Sequence, residues 1–510
     1  MPKWNPSVAC LFVGLACLTN VDAAKVLLII ADDLGRDSLA VYNDEPSASI
    51  PPTPAIDSLA ANGILFNRAY AYGTCSPTRA SILTGRYDFR TGVDRPEGPD
   101  LKANEFTLAE AIVESGVIGS RLAQIGKWHL GSDPDAPNDH GGWPHYAGML
   151  GGGVPNYYSW TKTVNGTNTS RYTVYTTTDI VDDAIDWIED QGTEDWFLWV
   201  AFNAPHSPFH LPPNDLHDYD HLDGSDADVA ANPRPYYEAM VQAMDTEISR
   251  LLESIDLADT TVIFMGDNGT PGQVVQYPFV RGHAKGSLYE GGVNIPLIIA
   301  GQSIPPSLEG SINQSIVHSV DLYRTILDLF GVDPGVLPQE LAFDSRSFHA
   351  VLTGASDSHT RTFAYSSKPG SAGGADTMLV NADHKWIVVD GGAQEFYTLA
   401  DGLEEDTDYW GALDQAQFAS YQLFLQETES LQNIPEIFET YLDDQNQFTL
   451  ELGWFANAQL TLQTRSHLFA GDWEEVASFT MSDDSGSVYY LRDNAPFSGT
   501  QFYRVVIDEI

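Results

Sequence analysis

Thr74-Cys75-Ser76-Pro77-Thr78-Arg79-Ala80-Ser81-Ile82-Leu83-Thr84-Gly85-Arg86 is the stretch around which the rest of the chain is organised. It starts and stops as a helix does. Ser76 suits the capping position, Pro77 the first helical position, and Gly85 the turn beyond the last one. Cys75 is thereby set at a helix N-terminus. Orphan amides and the positive end of the dipole favour an anion there, and Arg79, four residues on, is placed to reach back over the same turn. An isolated cysteine of this kind is most simply a buried residue before a capped helix. The spacing Cys-x-Pro-x-Arg followed by Leu-Thr-Gly-Arg is longer and more specific than that reading needs.

The compartment narrows the chemistry. Residues 1–23 read as a secretory signal, with Lys3, an apolar run from Val8 to Leu18, and Val21-Asp22-Ala23 before the cut. The run is too short to span a membrane. Two of the three cysteines, Cys10 and Cys17, fall inside that signal, so the mature chain keeps only Cys75 and forms no internal disulfide. Cys17 as a lipid-anchor site ranks lower, because the residues before it match poorly. The expected location is therefore secreted or periplasmic. The chain carries 71 acidic against 25 basic residues, a formal charge of -46. That argues against nucleic acid as a partner and suits salty surroundings, where ions weaken self-repulsion. An anionic substrate then requires positive charge concentrated at the site.

Apolar strands deliver polar tips. Lys25-Val26-Leu27-Leu28-Ile29-Ile30 reads as a buried strand of a parallel sheet, ending in Asp32 and Asp33. Thr261-Val262-Ile263-Phe264-Met265 repeats the design and ends in Asp267 and Asn268. Two such tips at one sheet edge can share a hard cation. Leu122 to Ile125 leads into Gly126-Lys127-Trp128-His129-Leu130-Gly131, where Lys127 and His129, two apart in an extended segment, project to one side. Trp196 to Phe202 ends in Asn203-Ala204-Pro205-His206, a histidine whose loop is fixed by prolines. Arg281-Gly282-His283-Ala284-Lys285-Gly286 supplies further cations beside Gly-rich backbone. Helices are expected over Thr53 to Ala61, Thr107 to Glu114, Thr178 to Gln191, Pro233 to Ile255 and Val317 to Leu329. Asp139 to Asn156 reads as a loop, either over the site or an ordinary connection.

These motifs resemble the type I, formylglycine-dependent sulfatases of the alkaline phosphatase superfamily, over about Lys25 to Asp401. Ser120 and Leu122 depart from the Tyr and Thr usual in that family's second signature. The resemblance implies an alkaline phosphatase-like α/β fold, with a central mixed sheet flanked by helices. It implies that Cys75 is oxidised to formylglycine by a formylglycine-generating or sulfatase-maturing enzyme. Hydration of the aldehyde to a gem-diol then provides the nucleophile for a sulfate ester, and its second hydroxyl a way to expel sulfate that a simple serine sulfate lacks. It implies a metal held by Asp32, Asp33, residue 75, Asp267 and Asn268, with Arg79 beside it; oxygen ligands favour Ca2+ over Zn2+, with Mg2+ the second choice. Lys127, His129, His206 and Lys285 surround the sulfate in that family, with His206 or His129 as proton donor. Arg281 and His283 are assigned to bracing the loop.

The chain divides into the signal, a catalytic domain over 24–345, a small C-terminal α+β subdomain over 346–435 and an all-β, sandwich-like module over 445–510. From Trp386 to Thr464 there is no Lys or Arg, a solvated acidic face around a helix at Leu413 to Leu431. The tail's role, in glycan binding, packing or export, stays open. The expected activity is hydrolysis of a sulfated carbohydrate. A phosphate or phosphonate ester hydrolase of the same superfamily, or an inactive glycan-binding relative, are the alternatives.

Overall fold

The computed structural model describes residues 25–432, apart from 339–340, 372 and 390–391, together with six short strands between 437 and 509. The expected signal segment lies outside the described residues. The main sheet has ten strands: β1 (Lys25–Ala31), β2 (Gly63–Tyr70), β3 (Leu122–Lys127), β4 (His145–Met149), β5 (Trp160–Val164), β6 (Thr167–Tyr172), β7 (Trp196–Ala201), β8 (Thr260–Gly266), β9 (Leu297–Gly301) and β10 (Ser311–His318). Their order is β10-β2-β9-β8-β1-β7-β3-β4-β5-β6. The central strands β8, β1, β7, β3 and β4 run parallel, and the antiparallel pairings of β9, β5 and β6 make the sheet mixed.

Strand β1 shows why the sheet sits in the middle. Val26, Leu28 and Ile30 enter one core, with Ala80, Ile112 and Leu322 from the helices Cys75–Thr84, Leu108–Ser115 and Asp321–Leu329. Leu27, Ile29 and Ala31 enter the other, with Ile56, Val181 and Met240 from the helices Pro54–Ala61, Thr176–Gln191 and Pro233–Leu252. A strand covered on both faces needs a continuous apolar run, and the sequence supplies one. The α/β class and the helix-flanked mixed sheet are those expected.

Four antiparallel strands, β11 (Ala364–Pro369), β12 (Ala375–Val380), β13 (His384–Val388) and β14 (Gln394–Thr398), form a separate sheet backed by the helix Gln415–Gln432. Phe363, Tyr365, Trp386 and Phe424 pack against Tyr72 and Tyr87 of the larger unit. Beyond residue 436 the described strands form two three-stranded antiparallel sheets. Their connecting segments lie outside the described residues. No helix among the described residues is long and apolar enough to cross a membrane.

Three local expectations are corrected. Ser76 does not cap its helix: Thr74 occupies the N-cap without a side-chain bond, and the helix starts at Cys75. The Ser76 hydroxyl instead donates to the His129 carbonyl at 2.9 Å, and Pro77 is accommodated within the first turn, whose amides have no intrahelical acceptor anyway. Val317 and His318 are not helical; they end β10, whose parallel pairing with β2 claims them before the helix starts at Asp321. Asp139 to Asn156 is not wholly a loop, because β4 within it pairs with β3.

Candidate active site

The C-terminal ends of four neighbouring strands, β8, β1, β7 and β3, deliver their tips to one place. The main chain ties those tips together: Asp32 N donates to Ala204 O at 3.1 Å and Asp267 N to Ala31 O at 3.0 Å. The helix beginning at Cys75 points its first turn into the same edge. Cys75 Sγ lies 3.1 Å from His129 Nδ1. His129 reaches it because the chain leaves β3 after Lys127 and turns through a left-handed residue, φ 59° at His129. The expected extended segment, with Lys127 and His129 side by side, is thus corrected, although both side chains reach the site.

Arg79 does not reach back over its own turn. Its Nη2 donates to Asp267 Oδ2 at 2.8 Å and its Nη1 to the Lys127 carbonyl at 3.1 Å, bridging the tips of β8 and β3. Lys127 Nζ lies 2.5 Å from Asp32 Oδ2, and Lys285 Nζ 2.5 Å from Asp33 Oδ1. Asn268 Nδ2 donates to Asp33 Oδ1 at 2.9 Å. His206 Nδ1 faces the Ser207 carbonyl at 2.7 Å, leaving Nε2 toward Asp33 Oδ2 at 3.8 Å. The expected catalytic and metal-holding residues are therefore in one cluster. His210, half-buried against Tyr157 and Tyr175, and His217, against the Pro212 carbonyl, have their partners elsewhere.

The electrostatics are those of three carboxylates among three fixed cations. Burial pushes the Asp32 carboxyl up, but Lys127 above all, with His206, Arg79 and Lys285, holds it well below the usual range. Burial and the neighbouring Asp32 push Asp267 up to about 6 against Arg79 and Lys127. The same burial pushes the Cys75 thiol up; Lys127 opposes this and Asp32 and Asp267 reinforce it. An unmodified Cys75 is therefore protonated at neutral pH and a weak nucleophile. Burial, then the charges of Lys127 and Arg79, lower His129 to about 2, so its ring is neutral.

The donor set suits a hard divalent cation. Ligand atoms of Asp32, Cys75 and Asp267 all lie within 4.8 Å of one another, as do those of Asp32, Asp33 and His206. Asp32 Oδ1 and Asn268 Oδ1 are buried without a hydrogen-bond partner, a costly state that a cation would relieve. Oxygen donors in this number favour calcium or magnesium over zinc.

Sequence reasoning missed several supports. The Tyr157 hydroxyl donates to the carbonyls of Asn203 and His206 at 2.6 and 2.7 Å, fixing the loop that carries His206. The loop carrying Lys285 is held from the small sheet: Lys385 Nζ lies 2.7 Å from Glu290 and 2.9 Å from Glu405, and Tyr289 donates to Glu395 at 2.7 Å. His283 stacks on Tyr289 with ring centroids 3.6 Å apart, which fits the bracing expected of it. Above Cys75 opens a cavity of about 450 Å3 walled by His129, His206, Lys285, Gly151 to Gly153 and the loop 95–100. Gly152 is required there, since a Cβ would stand 2.3 Å from His129 Nε2. The loop 95–100 was signalled only by its two prolines and one glycine.

Comparison with known proteins places this geometry. Residues 24–332 match the family model for sulfatases. The chain is 27% identical to an arylsulfatase of Hemicentrotus pulcherrimus over 379 residues, 67% of this chain and 64% of that protein. It is 28% identical to the N-acetylgalactosamine-6-sulfatase of Sus scrofa, over 67% of this chain and 68% of that one. The alignment thus spans about two thirds of the length of these relatives. Among solved structures, Ps i-CgsB in complex with k-i-k-neocarrahexaose superposes with a TM-score of 0.67 at 22% identity, covering 80% of this chain and 92% of its own. The PsFucS1 sulfatase from Pseudoalteromonas sp. gives 0.62 at 23%, covering 80% and 91%. At these identities the superpositions speak for the fold.

Proposed function

We propose, from the premise that this chain belongs to the sulfatase family, that it is a secreted hydrolase cleaving the sulfate esters of a carbohydrate, using formylglycine made from Cys75 and a bound divalent cation. The observation that carries this reading is Cys75 Sγ beside His129 beneath a cavity into which Lys285 and His206 also face. The buried thiol, pushed up by its surroundings, is a poor nucleophile, which supports its conversion. With Cys75 only 1% exposed, the maturing enzyme acts before the fold closes.

Formylglycine at residue 75 would supply a hydrated aldehyde as the nucleophile toward sulfur. Asp32, Asp33, Asp267 and Asn268 would hold the cation, which would supply positive charge beside the nucleophile. The remaining work belongs to the chain's own side chains. Arg79, fixed by Asp267 and the Lys127 carbonyl, keeps positive charge beneath residue 75. Lys127 and Lys285 oppose the negative charge on the sulfuryl oxygens, in a setting dry enough for them to act strongly. His206, with Nδ1–H donated to the Ser207 carbonyl, presents Nε2 to the leaving alcohol and delivers a proton from there in the doubly protonated ring. His129, engaged with residue 75 and neutral, orients rather than donates. Calcium is the preferred cation.

The test is ion chromatography of sulfate and phosphate released from a panel of aryl sulfates, sulfated glycans and phosphate esters, comparing matured protein with Cys75→Ala. Sulfate release confined to the matured protein is expected. Phosphate release alone would replace this reading with that of a phosphate ester hydrolase, and release by neither would leave a glycan-binding relative.

A further inference from the structure

The outer wall of the cavity carries a feature that sulfate cleavage does not use. Arg95 lines it, and apart from Lys285 it is the one Lys or Arg that does so among the described residues. Its side chain is 51% exposed. Asp94 accepts from Nη1 alone, at 3.0 and 3.1 Å, which aims the guanidinium without occupying its other donors. The backbone beneath is rigid. Gly98 N donates to the Arg95 carbonyl at 3.1 Å, closing a four-residue turn with Pro96 at its second position, the place where proline fits, and Pro99 follows. A side chain at 98 would put its Cβ 2.9 Å from Arg95 Cγ, so the turn leaves room for the arginine stem at that point. Glu97 and Asp100, both exposed, line the same wall.

A planar fork on a proline-braced turn is a receptor for an oxyanion through the donors that Asp94 leaves free, and here it stands beside three carboxylates, Asp94, Glu97 and Asp100, on a chain of formal charge -46. The net charge disfavours polyanions in general, and among the described residues of the cavity lining Arg95 is the one Lys or Arg outside the reaction centre. We infer that Arg95 forms a second anion subsite, selecting a saccharide that carries one further oxyanion, a second sulfate or a carboxylate, close to the ester being cleaved. Glu97 and Asp100 exclude more highly charged chains and accept hydrogen bonds from the sugar hydroxyls. The inference rests on the sulfatase reading and names its substrate more narrowly.

Two measurements separate the subsite from the reaction. The first takes kcat/KM of matured wild type, Arg95→Ala and Arg95→Lys on matched saccharides bearing the cleavable sulfate alone, with a second sulfate, or with a neighbouring carboxylate. Wild type is expected to prefer one of the doubly anionic saccharides, and which one identifies the source of the anion. Arg95→Ala is expected to cut that preference at least tenfold, mainly through KM, with Arg95→Lys recovering only part because the fork is lost. The second takes calorimetric binding of the same saccharides to protein whose Cys75 is still a thiol, where weaker binding by Arg95→Ala is expected for the doubly anionic forms only. Sulfate release with a preference that Arg95→Ala leaves intact, or none in wild type, overturns the subsite and spares the sulfatase reading. Arg95-dependent binding without sulfate release by matured protein supports the subsite and overturns the reaction.

Discussion

At the scale of single residues the account turns on which side chain does what around position 75. His206 is assigned the proton for the leaving alcohol, so its removal should matter in proportion to how poor the leaving group is. His206→Asn is expected to lower kcat on a sugar sulfate by about 10²–10⁴-fold, the usual contribution of a positioned acid. On an aryl sulfate with an acidic phenol the loss should be far smaller. Equal losses on both, measured as a leaving-group series, would remove His206 from that role. The unpartnered oxygens of Asp32 and Asn268 make a second claim. Chelation of the matured protein should lower its melting temperature and calcium should restore it, since a ligand at a hundred times its Kd adds about 2.7 kcal/mol. A melting curve indifferent to chelator and calcium would contradict the assigned ligands.

At the scale of elements, the joint between the Cys75 unit and the small sheet has its own pH signature. Asp88, at the start of the short helix Asp88–Thr91, accepts from the Tyr72 hydroxyl at 3.2 Å and from Ser367 of β11. Burial raises its carboxyl to about 6, only partly offset by Ser367, its own helix amides and Tyr72. The native state then holds a proton that the unfolded chain has released, so stability falls as pH rises from about 4 to about 6. The full effect is about 3 kcal/mol for a shift of this size. Asp88→Asn should flatten that part of the profile in urea titrations at pH 4.5 and 7. A slope unchanged in the variant would show that other groups produce it.

Elements also show how far sequence carries. Strand β1 and strand β8 were legible because unbroken apolar runs ending in Asp have few other uses, and the site followed from their tips. Residues Val317 and His318 were not, because a β strand pairing with distant β2 leaves no mark in its own local periodicity. Ser76 was misplaced as a cap because its hydroxyl's partner, the His129 carbonyl, comes from across the fold. Lys127 and His129 were found for an incomplete reason: the left-handed turn at His129 is what brings its ring to Cys75. The cavity wall at 95–100 could be suspected from Pro96, Gly98 and Pro99, but not its position over Cys75, which depends on how the helix Cys75–Thr84 packs.

At the scale of the whole molecule, charge sets the conditions under which the fold holds. With 71 acidic and 25 basic residues, self-repulsion is large in dilute buffer, and salt shortens its range to about 8 Å at 0.15 M. Melting temperature is expected to rise with sodium chloride from low concentration into the molar range. A fall on adding salt would assign the acidic surface some other purpose. Against that surface, the three cations at the site are each paired with a carboxylate, Arg79 with Asp267, Lys127 with Asp32 and Lys285 with Asp33.

The central claim is that residue 75 must be converted for the site to act. It is tested most directly by preparing the protein at several degrees of maturation, measuring by mass spectrometry the fraction of Cys75 peptide that has lost its sulfur for an aldehyde, and measuring sulfate release from one aryl sulfate in each preparation. The account requires release to rise in proportion to the converted fraction, from zero with the thiol alone. Release by the fully unconverted thiol at a comparable rate would contradict it.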